Sequence, residues 1–187
     1  NGVSVSGGSD SWTNGTIVKY NSAGLTQWAK STTAGADESF LYEISADDAG
    51  NVFSVGEFWG IAEIGFSASA KSPGIYSQYN AWIIKLNSTG VPQWVKSAVS
   101  GSDQTMYAGV TNDSAGNIYV AGEFRGSSAF SFGNGVSVTA PASINALALK
   151  YTGDGSADLE PASDLASSNS LISGSSSSIT VLPATGC

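Results

Sequence analysis

Internal repetition constrains this 187-residue chain more than any other feature of its sequence. Gln27-Trp28-Ala29-Lys30-Ser31 returns as Gln93-Trp94-Val95-Lys96-Ser97. Asp47-Asp48-Ala49-Gly50-Asn51-Val52-Phe53 returns as Asp113-Ser114-Ala115-Gly116-Asn117-Ile118-Tyr119. Gly56-Glu57-Phe58-Trp59-Gly60 returns as Gly122-Glu123-Phe124-Arg125-Gly126, and Ile17-Val18-Lys19-Tyr20-Asn21 returns as Ile83-Ile84-Lys85-Leu86-Asn87. All these blocks are displaced by 66 residues (27 to 93, 47 to 113, 56 to 122, 17 to 83), a shared register that chance does not produce. A third copy of the last block, Ala148-Leu149-Lys150-Tyr151-Thr152, sits one residue out of that register. Gly2-Val3-Ser4-Val5 resembles Gly135-Val136-Ser137-Val138. The chain therefore holds roughly two and a half units, at about 1–32, 33–98 and 99–160. In such a chain each unit is one supersecondary element that buries its apolar surface against its neighbours.

Each unit reads as four short strands. The first covers Leu41 to Asp47, or Tyr107 to Asp113, and ends in an Ala-Gly-Asn turn, where Gly and Asn tolerate positive φ. The second runs from Val52 to Phe58, or from Ile118 to Phe124. It is apolar at consecutive positions (Val52-Phe53, Ile118-Tyr119-Val120-Ala121) rather than at alternate ones, which predicts burial on both faces. Sheets stacked face to face supply that burial. The third covers Trp82 to Asn87, or Asn145 to Thr152. Asn-Ser-Ala-Gly and Asn-Ser-Thr-Gly turns lead to the fourth, Gln27 to Ser31 or Gln93 to Ser97, which places Trp28 and Trp94 in equivalent, mostly buried positions. Four short strands per unit is the blade pattern of a β-propeller. The expected fold is all-β, with blades forming an incomplete propeller or an open repeat array. The dissimilar inserts at 61–79 and 127–143 read as long loops or extra hairpins, and the best helix candidate is Pro161 to Ser167. The repeat region spans 1–152 in this reading, and 153–187 is a Ser-rich linker ending in a strand over Ile179 to Leu182.

Ala81 to Asn87, Gly90 to Lys96 and Asp113 to Gly122 resemble the three characteristic segments of the bacterial and archaeal β-propeller repeats called SBBP repeats. The resemblance covers about 17–60 and 81–152, and the unit here is longer because of its insert. It implies a propeller-like fold in a surface or secreted protein and brings no catalytic motif. Two and a half units are too few to close a ring, which takes at least about four blades. Completion is then expected from further blades of a longer chain or from self-association, including a head-to-tail filament.

Composition narrows the function. Charged residues are 12% of the chain, about half the usual share. Neutral polar residues take their place, which suits a secreted or cell-surface protein. With 7 basic against 15 acidic residues the net charge is −8, so there is no basic stripe for a nucleic-acid backbone or an anionic membrane surface. No apolar run approaches the roughly 18 residues of a spanning helix. The one cysteine, Cys187, excludes an internal disulfide and leaves pairing between chains open.

The chain contains no histidine, which removes Ser-His-Asp and Cys-His nucleophilic sites and the commonest zinc ligands. The carboxylate pairs Glu57 and Glu123, Asp37 and Asp103, and Asp47 and Asp113 recur with the period, as architectural residues do, and no enzyme is expected. Positions that break the repeat are better functional candidates. Trp59 stands opposite Arg125, Glu43 opposite Gly109, and Tyr76, Tyr79 and Trp82 border an insert. The aromatic residues Trp59, Tyr76, Tyr79 and Trp82 could stack on a glycan, or pack against a neighbouring blade. Asp154, Asp158 and Glu160 space carboxylates along a Gly-containing loop, which suits calcium, although Asp-Gly turns also have this form. No other cofactor is indicated. Leu182, Pro183, Thr185 and Gly186 fit the Leu-Pro-x-Thr-Gly motif cut by cell-wall sortases, without the apolar segment and basic tail that complete it. A strand ending in a Pro turn is the alternative. The leading expectation is a non-enzymatic structural or adhesive module, and the alternative is a carbohydrate-binding propeller.

Overall fold

The computed structural model describes residues 3–5, 13–32, 38–60, 63–66, 71–73, 78–101, 103–126, 129–139, 143–158, 172–173 and 179–181. These residues form sixteen β-strands and no helix, so none is long and apolar enough to cross a membrane. The chain is all-β and its principal sheets are antiparallel.

Strands β1 (Thr16–Tyr20) and β2 (Thr26–Ser31) form a two-stranded sheet. They are followed by β3 (Ser39–Ala46) and β4 (Val52–Trp59), the hairpin of β5 (Glu63–Gly65) and β6 (Lys71–Pro73), and then β7 (Tyr79–Leu86) and β8 (Pro92–Ser97). The first four-stranded sheet has the order β3-β4-β7-β8. The pattern recurs with β9 (Thr105–Asn112), β10 (Ile118–Arg125), the hairpin of β11 (Phe130–Gly133) and β12 (Val136–Thr139), β13 (Ile144–Tyr151) and β14 (Ala157–Asp158). The second four-stranded sheet has the order β14-β13-β10-β9. Each is a meander, the topology that short turns between antiparallel strands permit, interrupted once by a hairpin insert.

The pair β1–β2 repeats β7–β8, because Lys19 opposes Trp28 as Lys85 opposes Trp94. It is the second half of a unit. Strand β14 pairs Asp158 with Lys150, so the sheet continues past residue 152 into the segment expected to be a linker. The expected helix at 161–167 lies outside the described residues. Near the C-terminus, β15 (Ile172–Ser173) pairs with β16 (Ile179–Val181), and β16 runs parallel to β12. The terminal strand thus builds the second insert hairpin into a third four-stranded sheet, of order β11-β12-β16-β15, and joins neither of the first two.

Repeated local devices hold each sheet. Both oxygens of the Asp47 carboxylate accept bonds from Asn51, at 2.8 Å from its backbone N–H and 2.7 Å from its side chain. Asp113 and Asn117 repeat the pattern at 2.9 and 2.8 Å. These recurring carboxylates therefore close turns. In β3 and β9 the register slips around Tyr42 and Ala108, a β-bulge at the same place in both units. The bulge drives the Phe40 carbonyl toward Gly56 and the Met106 carbonyl toward Gly122, and a Cβ on either glycine would overlap that oxygen.

The sheets stack through alternate side chains. Val52, Phe58, Trp82, Ile84 and Leu86 share a core with Ile17 and Trp28 of the half unit. Phe53, Val55, Ala81 and Ile83, on the opposite face, share a core with Tyr107, Val120, Leu147, Leu149 and Tyr151. Burial on both faces therefore holds for β4, whose residues Val52 to Gly56 are all buried. It does not hold for β10, where Ile118, Val120 and Phe124 are buried but Ala121 and Arg125 are exposed. No described sheet covers that outer face.

Candidate functional site

The same two side chains cross each junction between units. Lys19 Nζ and Trp28 Nε1 both donate to the Ser88 carbonyl, at 3.0 and 3.1 Å. Lys85 Nζ and Trp94 Nε1 both donate to the Gly153 carbonyl, at 2.9 and 3.2 Å. Lysine and tryptophan reach one oxygen because they stand opposite each other on paired strands. That oxygen belongs to the turn between the third and fourth strands of the next unit. Asn87 shapes the first such turn by accepting from the N–H groups of Thr89 and Val91, at 3.1 and 2.9 Å.

The turn glycines lie on the indole rings. Gly90 and Gly155 have φ of 78° and 82°, in the left-handed region that glycine adopts without strain. A Cβ on Gly90 would stand 2.6 Å from the Trp28 ring, and one on Gly155 would stand 2.8 Å from the Trp94 ring. Lys19 Nζ is 6.0 Å from the Trp28 ring centroid, within reach of a cation–π attraction. Trp28 is 8% exposed, whereas Trp94 is only half-buried. The two tryptophans are equivalent, as the repeat implies, but each holds a neighbouring turn as well as contributing to a core. The recurrence of Lys19 and Trp28 as Lys85 and Trp94 was the available signal, and their strand pairing was the missing link.

A second joint runs between the first strands of successive units. The Val110 N–H donates to Glu43 Oε2 at 2.9 Å, and the Ser45 hydroxyl donates to Asn112 Oδ1 at 2.7 Å. Gly109 makes room for that carboxylate, since a Cβ there would lie 3.1 Å from Glu43 Oε2. The break of the repeat at Glu43 and Gly109 is thus a joint between sheets.

The aromatic candidates separate. Trp59 and Tyr79 are cross-strand neighbours in an edge-on contact of 4.9 Å, and Phe40 lies 6.1 Å from Tyr79. The Tyr79 hydroxyl donates to Glu38 at 3.2 Å, and the Tyr42 hydroxyl donates to Glu57. Burial pushes the Glu57 carboxyl above its ordinary pKa, and the nearby Glu123 charge adds to this against the Tyr42 bond. The Tyr42 phenol is raised by burial and then by Glu57. Trp82, for which stacking on a glycan and packing against a blade are the two readings, is 0% exposed and packs 5.2 Å from Phe66 in the core, which rules out the first. It shares a face with Ile84 and Leu86, and strand alternation explains its burial. Tyr76 lies outside the described residues. Arg125, the counterpart of Trp59, pairs with Glu123 at 3.1 Å.

The carboxylates considered for calcium are engaged separately. Asp154 accepts from the Thr152 hydroxyl at 2.6 Å and from the Ser156 N–H at 2.9 Å, and these bonds lower its pKa to about 2. Asp158 pairs with Lys150 at 3.4 Å. Glu160 lies outside the described residues, as do Leu182, Pro183, Thr185, Gly186 and Cys187. Among the described residues, no group of three or more histidine, cysteine, aspartate or glutamate side chains is placed to hold a metal ion.

Fold and joints together define an all-β protein of stacked, sequence-repeated antiparallel sheets. No protein-family model matches the chain, and no curated protein matches it.

Proposed function

We propose that this chain is a non-enzymatic structural or adhesive repeat module of a secreted or cell-surface protein, its sheets acting as β-propeller-like blades. The observation that carries this reading is the Lys–Trp clasp, formed twice by residues that recur with the period. The most regular part of the sequence is occupied in joining units, and repeat arrays draw their stability from such neighbour contacts. The resemblance to SBBP repeats supports the same reading, and the low charge content supports an extracellular setting. Further units complete the array.

Carbohydrate binding is the second reading. It is favoured by Phe40, Trp59 and Tyr79, which cluster where the repeat breaks, beside the Tyr42–Glu57 pair. A glycan array probed with the intact chain and with Trp59→Ala decides between the two. A structural module retains no glycan beyond the level of the variant. A glycan held by the intact chain and lost by the variant establishes a lectin.

A further inference from the structure

We infer that the two ends of the stack differ: the β1–β2 end is an open acceptor for another unit that presents a paired lysine and tryptophan, and the outer face of the β9-β10-β13-β14 sheet is a cap. This rests on the stacked-repeat reading and gives it a direction.

Among the described residues, the acceptor is complete and nothing fills it. Asn21 accepts from the N–H groups of Ala23 and Leu25 at 3.0 and 2.9 Å, as Asn87 does in the next unit. Gly24 has φ 75°, close to Gly90 and Gly155. Those two glycines are buried beneath tryptophan rings, whereas Gly24 is exposed and has no described atom within 4 Å of a Cβ position. The adjoining face shows the same contrast. Tyr20 is 59% exposed and Val18 40% exposed, whereas their counterparts Leu86, Ile84, Tyr151 and Leu149 are all buried. The occupant is defined by continuity with the two filled junctions, where this surface takes a sheet bearing lysine and tryptophan on facing strands.

The other end lacks the matching donor. Lys150 occupies the place of Lys19 and Lys85, but the position four residues after the turn glycine, Trp28 after Gly24 and Trp94 after Gly90, is Leu159 in the sequence after Gly155. Lys150 instead pairs across the strands with Asp158, which stands in the place of Gln27 and Gln93, and forms an ion pair with it at 3.4 Å within its own sheet. The face around it is changed in the same direction. Tyr119 stands for Phe53, Ala121 for Val55, and Ala148 for Ile83, so bulky apolar residues give way to smaller or more polar ones. Terminal repeats with such outer faces keep an array soluble. Consequently a second copy of this chain does not fit the acceptor through this face, and the partner is a clasp-bearing unit.

The test uses full-length chains. Leu159→Trp supplies a tryptophan at the position equivalent to Trp28 and Trp94, and Tyr20→Glu blocks the acceptor. The intact chain and the Y20E/L159W variant are each expected to remain monomeric in sedimentation, and to form a one-to-one complex when mixed. Absence of a complex, with near-UV circular dichroism of the variant intact, overturns the acceptor. Self-association of the unmodified chain that Tyr20→Glu abolishes overturns the cap. Where L159W disturbs the fold, a chain with an extra copy of 33–98 placed ahead of it replaces the variant. Amides over 17–25 then exchange with heavy water about tenfold more slowly than in the intact chain, and unchanged exchange overturns the proposal. The underlying stacking is measured separately by Trp94→Ala. A destabilised Trp94→Ala chain with no complex overturns only the direction of the array.

Discussion

Replacing Trp94 by alanine removes the larger half of one junction. An enclosed tryptophan buries about 200 Å². Half of that area, at about 25 cal/mol per Å², corresponds to about 2.5 kcal/mol for the half-buried Trp94. Its N–H bond to the Gly153 carbonyl adds about 0.5 kcal/mol, because that oxygen keeps the bond from Lys85. The expected loss is about 3 kcal/mol. Trp28 is only 8% exposed, so Trp28→Ala falls at the upper end of the usual penalty for emptying a large aromatic site, about 4–5 kcal/mol. Trp94→Phe keeps an aromatic ring over Gly155 and loses about 1 kcal/mol. Urea unfolding followed by far-UV circular dichroism measures all three, with an unchanged m value confirming that the unfolding transition is the same. A loss below about 1 kcal/mol for both alanine variants would refute the reasoning, as would a Trp94→Phe chain no better than Trp94→Ala.

Four further outcomes rest on contacts elsewhere in the sheets. Gly56→Ala forces a Cβ into the Phe40 carbonyl, and thermal unfolding should show a loss of at least about 1–3 kcal/mol, with Gly122→Ala behaving alike. Glu43→Ala strips the Val110 N–H of its acceptor and should cost about 1–3 kcal/mol, with faster hydrogen exchange at Val110. Acid should destabilise the chain through its turn carboxylates. At Asp47 burial resists ionisation but the Asn51 bonds outweigh it, at Asp113 the Asn117 side chain leads, and at Asp154 the Thr152 hydroxyl leads. All three pKa values are lowered, so their stabilisation is complete above the unfolded value near 4 and is lost as pH falls through the folded values. Urea midpoints against pH should therefore drop below about pH 4, and Asp154→Asn should flatten the part of that drop nearest pH 2. Glu57, whose pKa is raised, acts in the opposite sense, and Glu57→Gln should raise stability at neutral pH.

Much of the fold was legible because the repeat register and strand periodicity report the same thing. The four blocks placed the strands of each unit within a few residues, and their order along the chain is their order in the sheet. What escaped were relations between strands. Trp28 and Trp94 were visible as recurring aromatics, but the lysine opposite each could be recognised only from the pairing. Trp82 borders an insert in the sequence, which leaves a platform and a packing role both open, and only its alternation with Ile84 and Leu86 on the paired strand assigns it to a core face. Asp154, Asp158 and Glu160 suit a calcium loop in sequence, yet Asp154 caps a turn and Asp158 pairs with Lys150, a strand partner that the one-residue slip of the third copy conceals. Glu43 and Gly109 stood out as a break in the repeat, yet a break at a joint and a break at a binding site look alike until the partner strand is known.

The central claim is that units are joined by tryptophan rings lying on turn glycines, and proton NMR tests it most directly. The Hα protons of Gly90 and Gly155 lie over the Trp28 and Trp94 rings and should be shifted strongly upfield by ring currents, with through-space contacts to the indole protons. Gly24, in the same turn conformation but with no ring above it among the described residues, should resonate at an ordinary position. Two displaced glycines and one ordinary glycine are the predicted result. Three ordinary glycines, without contacts to either indole, would contradict it.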